Sequence, residues 1–177
     1  DDWRIHNPLD VTDVTPTPVL LAALGPVMLR LAGERTDGTI LWLADEKAIE
    51  SHVVPHLTKA AEGAGRPAPR VVAGVPVCLC RPDEVDRAAE RTNRILSEAE
   101  VSPNYQKLLD LGDAESVGDL LAAGDEAMVE RRLRAYADAG VTDLSVRVVP
   151  IGEGRDELIA SSKRTRDLLA SLVGALA

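Results

Sequence analysis

PVLLAALGPVMLRLAGERTDGTILWL, residues 18–43, decides the fold. It opens with Val19–Ala23, an apolar run of strand length and too short for a helix. Gly25-Pro26 follows, and proline suits the first helical turn, where its missing N–H costs nothing. Val27, Met28, Leu31 and Ala32 then recur at helical spacing. Asp37-Gly38 is expected to end that helix, because glycine accepts a left-handed cap. Thr39–Leu43 is a second strand, apolar on both faces, as parallel strands covered by helices are.

The same alternation continues. Asp45 can cap a helix running to about Gly63. Arg70–Cys80 reads as a third strand, with Pro76 expected to force a bulge or local break. A helix follows from Pro82 to about Ala99, and Ser102-Pro103 starts another. YQKLLDLGD and ESVGDLLAAG read as two short helices inserted between regular units. Asp125 caps a helix to Ala139, TDLSVRVV is the fourth strand, and a last helix spans Asp156 to about Leu176. Residues 1–17, rich in Pro, Thr and Asp, read as an extended arm before a single domain over residues 18–177. Four strand–helix units imply an α/β fold with one parallel sheet in sequential strand order.

Composition narrows the function. The 177 residues are 45% hydrophobic but only 2% aromatic, so the core must be built from Ala, Val, Leu and Ile. Net charge is -9 with no basic stripe, which argues against nucleic acid. Two cysteines cannot make a disulfide framework. No apolar run has membrane-spanning length, and the start has no signal-peptide pattern, so a cytoplasmic protein is the default expectation. The polar Asp1-Asp2 start, without Met, fits a chain beginning inside something longer, or a processed or cloned terminus.

The stretch 18–43 resembles the bacterial luciferase-like superfamily of flavin-dependent monooxygenases and coenzyme F-420-dependent oxidoreductases. The shared pattern is apolar strand, Ala-Ala, a variable residue, Gly-Pro, a helix holding Leu-Ala-Gly, then Asp-Gly and another strand. AAEGAGRPAPRVVAGVPV and YADAGVTDLSVRVV resemble that family's later units, so the likeness covers most of residues 16–149. A full barrel of this kind has eight such units in about 250 residues. The resemblance thus implies a (βα)4 half of a TIM barrel with extra short helices, the C-terminal half. It implies F-420, alternatively FMN, as cofactor.

Barrel enzymes place their sites at the C-terminal ends of strands. Ala22, Ala23, Leu24, Gly25 and Pro26 stand at such an end. From the residues alone, a tight strand–helix turn and a ligand-approached backbone are both open. The resemblance favours cofactor contact. Trp42 is a candidate pocket wall, or else a core tryptophan. Trp42-Leu43-Ala44-Asp45 lacks the polar and basic residues of relatives that act on phosphorylated sugars, so a small apolar substrate is expected. His52 and His56, four apart on a helix, read as surface or boundary histidines, since the Glu of a zinc protease motif is missing. Cys78 and Cys80 point the same way on a strand and read as buried small hydrophobes. Asp37 is expected to hold a turn. No metal site and no catalytic acid or base is assigned.

Two other readings remain: a non-catalytic half-barrel that self-associates, and a phosphate-binding α/β domain of another family. Four strands cut from a barrel leave two open edges and an inner face expected to be strongly apolar. Association with a second copy, as a homodimer, or with a missing N-terminal half is therefore expected.

Overall fold

The computed structural model describes residues 15, 17–96 and 103–174. Nearly all of the arm, the Ser102 cap and the last three residues lie outside them. The first two units are β1 (Leu21–Ala22), α1 (Pro26–Arg35), β2 (Gly38–Trp42), α2 (Glu46–Ala48) and α3 (Val54–Gly63). A π-helical segment, Ile49–Val53, joins α2 to α3. The Val54 N–H reaches back five residues to the Ile49 carbonyl, just before Pro55, which needs no acceptor. Then come β3 (Arg70–Leu79), α4 (Val85–Leu96), α5 (Pro103–Leu109), β4 (Ala122–Gly124), α6 (Glu126–Asp138), β5 (Asp143–Val148) and α7 (Arg155–Ser171).

All strand pairs are parallel, and β1, β2, β3 and β5 adjoin in chain order. The sequential four-strand sheet read from the sequence is therefore present. The insertion differs from its reading. ESVGDLLAAG holds only a 3-10 turn at Val117–Leu120, and its end forms β4 against the C-terminal part of β3. Its three small residues make an adequate strand only because β3 supplies the ladder.

Three further expectations are corrected. Gly38 does not cap α1, whose last residue is followed by Thr36 as cap. It begins β2 at φ +147, where a side chain would overlap the Arg70 carbonyl. The end of α7 comes at Ser171, earlier than Leu176, with Gly174 beyond it at φ +79. Pro76 neither bulges nor breaks β3. The Val71 and Val77 carbonyls accept from the Thr142 and Val149 N–H groups, on the β5 side. Backbone alternation turns the Pro76 nitrogen to the other side, where β2 pairing ends at Gly74 and β4 pairing begins at Val77. Among the described residues, the proline occupies the interval of that edge between the two ladders.

One face of the sheet carries the helices. Leu41, Val71, Ala73, Val75 and Val77 pack there with Leu29, Ile49, Leu57, Val129, Leu133 and Tyr136 in the main core. The opposite face follows from the register. Ala22, Ile40, Val72 and Asp143 form one row, and Trp42, Gly74 and Ser145 the next, with Pro76 beside Arg147. This inner face is less apolar than expected, because β5 contributes Asp143, Ser145 and Arg147. Arg70 donates to both Asp143 oxygens, at 2.6 and 3.1 Å, across β3 and β5. That pairing, with a further bond from Thr142, lowers the Asp143 carboxyl below its usual value.

Asp37 holds a turn, as expected. Its carboxylate accepts from the Val19 N–H at 2.8 Å, and its carbonyl from the Arg70 N–H at 2.9 Å. It thereby ties β1 to the start of β3.

Candidate functional site

A cavity of about 460 Å³ opens where β1 and β2 end. Ala22, Leu24, Trp42, Gly74, Tyr105 and Ser145 line it together with Ile40 and Leu41. Of the sequence-predicted site residues, Ala22, Leu24 and Trp42 therefore come together. Ala23 points into the core at 1% exposure, and Gly25 and Pro26 are exposed and do not line this cavity. Trp42 is half-buried. It lines the cavity and packs on a second cluster of Leu43, Leu96, Leu109, Val117 and Leu120.

The small residues have distinct roles. Gly74 lies under the Trp42 ring, whose Cζ3 is 3.0 Å from where a Cβ would stand. Gly25, by contrast, has ordinary extended backbone, φ -92 and ψ 160, and a Cβ there meets nothing within 4 Å. The fold itself does not require glycine at that position. Gly25 caps α1 without a side-chain acceptor, and the first turn of α1 holds no acidic residue. That helix end is open to an anionic group.

His52 was read from sequence as a surface or boundary residue. Its Nε2 donates to the Leu24 carbonyl at 3.1 Å, so the second unit props the β1–α1 turn. His56 Nδ1 in turn donates to the His52 carbonyl at 2.7 Å. No spacing signal could show this, because the contact joins residues 28 apart. The two ring centroids lie 4.7 Å apart, and among the described residues no group of three or more His, Cys, Asp or Glu is placed to hold a metal.

The insertion is fixed over the cavity by Asp45. This carboxylate is 5% exposed. One oxygen accepts from the Ala48 N–H at 2.8 Å and so caps α2. The other accepts from the Asp113 and Ala114 N–H groups, at 2.5 and 3.1 Å. Gly112 allows this approach, since any side chain there would overlap the carboxylate. Lys47 pairs with Asp113 over the same junction. Sequence showed the cap but not the strap. Leu43, just before, is held at φ 58 with its side chain 1% exposed. Left-handed backbone costs a leucine about 1 kcal/mol, outweighed by burial in the second cluster.

None of the residues lining the cavity is an Asp, Glu, His, Lys, Arg or Cys. The chain therefore offers walls and position here, with the Trp42 N–H and the Tyr105 and Ser145 hydroxyls as side-chain polar groups. Cys78 is fully buried among Ala88, Leu121, Val149 and Ile151, as expected of a small hydrophobe. Cys80 is only half-buried and lines a separate cleft. No helix among the described residues is long and apolar enough to cross a membrane.

Residues 4–143 match the family model described as luciferase-like monooxygenase. A 5,10-methylenetetrahydromethanopterin reductase of Methanopyrus kandleri is 25% identical over 167 residues, covering 80% of this chain and 47% of the reductase. The solved coenzyme F-420-dependent tetrahydromethanopterin reductase of that organism has a TM-score of 0.53 at 25% identity, with 84% of this chain and 49% of that one covered. An F-420-dependent secondary alcohol dehydrogenase, solved with an F-420–acetone adduct, has a TM-score of 0.61 at 15% identity, covering 88% and 49%. An EDTA monooxygenase from Chelativorans sp. BNC1 has a TM-score of 0.59 at 20% identity, covering 88% and 44%. These last two likenesses speak to fold alone. The chain spans about half the length of the relatives it matches.

Proposed function

This chain belongs to the luciferase-like monooxygenase family, and from that premise we propose that it forms the C-terminal half of an oxidoreductase acting on a small, apolar organic substrate with coenzyme F-420. FMN is the alternative cofactor. The observation that carries this reading is the apolar cavity at the strand ends, floored by Ala22 and Gly74 and walled by Trp42 and Tyr105. The small Ala22 leaves room for a flat ring, while the space over Gly74 is taken by the Trp42 ring. The reductase that shares 25% identity is named for methanopterin chemistry, and its solved counterpart for F-420, which favours the deazaflavin.

The residues fit such a group. Ala22, Ala23, Leu24, Gly25 and Pro26 would hold it along the main chain, with the start of α1 facing an anionic part. His52 keeps that turn in place through Leu24. When bound, the cofactor supplies the hydride or electron transfer. Trp42, Ile40 and Tyr105 orient an apolar substrate and exclude water.

Gly25→Val tests the assignment. The added side chain enters open space on unstrained backbone. The cost to stability should be about 1 kcal/mol, that of replacing a favoured glycine N-cap by valine, and the chain should stay folded. In the complete barrel that contains these residues, titration with F-420 and with FMN should show affinity falling by about tenfold or more, ~1.4 kcal/mol. Unchanged affinity for both would remove the turn from the site.

A second reading has its own support. Beside the edge of β5 that has no partner among the described residues, Leu133, Leu144, Val146, Leu169 and Leu172 line a further apolar cavity of about 400 Å³. An exposed apolar edge suits another chain, whether a second copy or four preceding units. Self-association with no binding of either cofactor in the same titration would favour a non-catalytic interaction module.

A further inference from the structure

We infer that the groove between α1 and α3 is a docking site for a short acidic peptide segment that carries an apolar residue beside its carboxylates. Val27, Arg30 and Arg35 of α1 and His56 and Lys59 of α3 line this cleft of about 880 Å³. It shares no lining residue with the cavity under Trp42, and the inference does not rest on the oxidoreductase reading.

Charge sets the cleft apart from its surroundings. The chain carries a net charge of -9. Here, by contrast, three permanent cations, Arg30, Arg35 and Lys59, meet one carboxylate, Glu34. Glu34 stands 3.9 Å from Arg30, at the long limit of an ion pair. The carboxylates of Asp37 and Glu62 do not line the cleft, and Asp37 is paired with Arg66. Among the described residues Arg35 and Lys59 have no carboxylate partner, whereas Lys47, Arg66 and Arg70 each have one. Unpaired cations gathered in a concave site attract a ligand of opposite charge.

The walls are held in place. Gly33 lets α1 lie against α3, because a Cβ there would overlap the Leu57 carbonyl. The cations thus stand on two packed helices and not on loops. Arg30 and Arg35 are five residues apart, about 7.5 Å along the helix axis. Same-face side chains of an extended peptide recur about every 7 Å. The spread therefore fits two carboxylates of one segment, not one compact dianion. Beside the charges, Val27 is 67% exposed and offers an apolar foothold. A nucleic-acid duplex fits poorly, since its long phosphate rows would meet the negative charge of the rest of the chain.

The test uses the folded chain and a fluorescein-labelled peptide of one leucine followed by four glutamates, read by fluorescence anisotropy at low salt. Saturable binding is expected, weakened about tenfold or more when salt is raised to about 0.3 M. The same peptide with glutamines in place of the glutamates should not bind. Lys59→Glu should weaken binding by about tenfold or more, and Arg35→Glu should act alike. Arg94→Glu makes the same change in net charge on α4, which does not line the cleft. It should leave the affinity within about twofold of the parent. All three positions are exposed, so the variants should stay folded by circular dichroism. No saturable binding, equal binding of the glutamine peptide, or tighter binding of a phosphoserine peptide or a DNA duplex would overturn the proposal. So would equal weakening by Lys59→Glu and Arg94→Glu, which would make bulk charge the cause.

Discussion

Asp45→Ala should destabilise the chain by about 3 kcal/mol, through the loss of one helix cap and two loop tethers. The carboxylate satisfies three main-chain donors at once: Ala48, Asp113 and Ala114. It is 5% exposed, so water cannot fully replace it. A cap alone contributes about 1 kcal/mol, and each charged bond to a loop N–H about as much again. For a chain of this size the melting temperature should fall by roughly 10 °C. Asp45→Asn keeps one accepting oxygen and should lose about half as much. Urea unfolding of the three chains measures this. An Asp45→Ala chain within about 0.5 kcal/mol of the parent would mean that the insertion is held by its apolar cluster and not by the strap.

The second large effect is expected at Gly74. Gly74→Val places its side chain into the Trp42 ring, with the Leu41 carbonyl only 3.1 Å from the new Cβ. Neither the ladder nor the ring can yield cheaply, because Trp42 and Gly74 are paired residues of adjacent strands. Overpacking of this kind costs about 3 kcal/mol. The decisive measurement is the double mutant. With Trp42→Ala already present, the valine enters vacated space, and its cost should drop to about 1 kcal/mol. A coupling of about 2 kcal/mol is what contacting residues show. Additive effects would place the strain elsewhere, in the β2–β3 backbone.

Much of this molecule could be read before its structure. The strand–helix alternation was legible because β2 and β3 are nearly continuous apolar runs, β5 alternates polar and apolar residues, and turns carry their own punctuation, as at Gly25-Pro26. Asp45 and Asp125 could be recognised as caps, and both accept the expected main-chain N–H. The misreadings share a physical cause. Gly38 looks like a helix cap because the same left-handed tolerance serves a strand start. β4 has no β-branched or aromatic residue, so nothing local marks Ala122–Gly124 as a strand. Of the residues that line the cavity, Ala22, Leu24 and Trp42 could be picked out from their places at strand ends. Tyr105, the Trp42–Gly74 stack and the His52 contact could not, because each depends on register or packing between distant segments.

The interval at Pro76 also bears on how the molecule breathes. It divides one edge of β3 into two hydrogen-bonded stretches, with β2 holding Arg70 to Gly74 and β4 holding Val77 to Leu79. A proline between them carries no amide to link their exchange. The two stretches can then open separately, and the weaker one holds only three residue pairs. Slow fluctuations should detach β4 together with the insertion that precedes it, while the β2–β3 ladder stays closed. Amide hydrogen exchange should therefore show Cys78 and Cys80 losing protection well before Val72 and Gly74. Simultaneous loss along all of β3 would mean that the strand opens as one unit. The roof of the cavity would in that case be as long-lived as its floor.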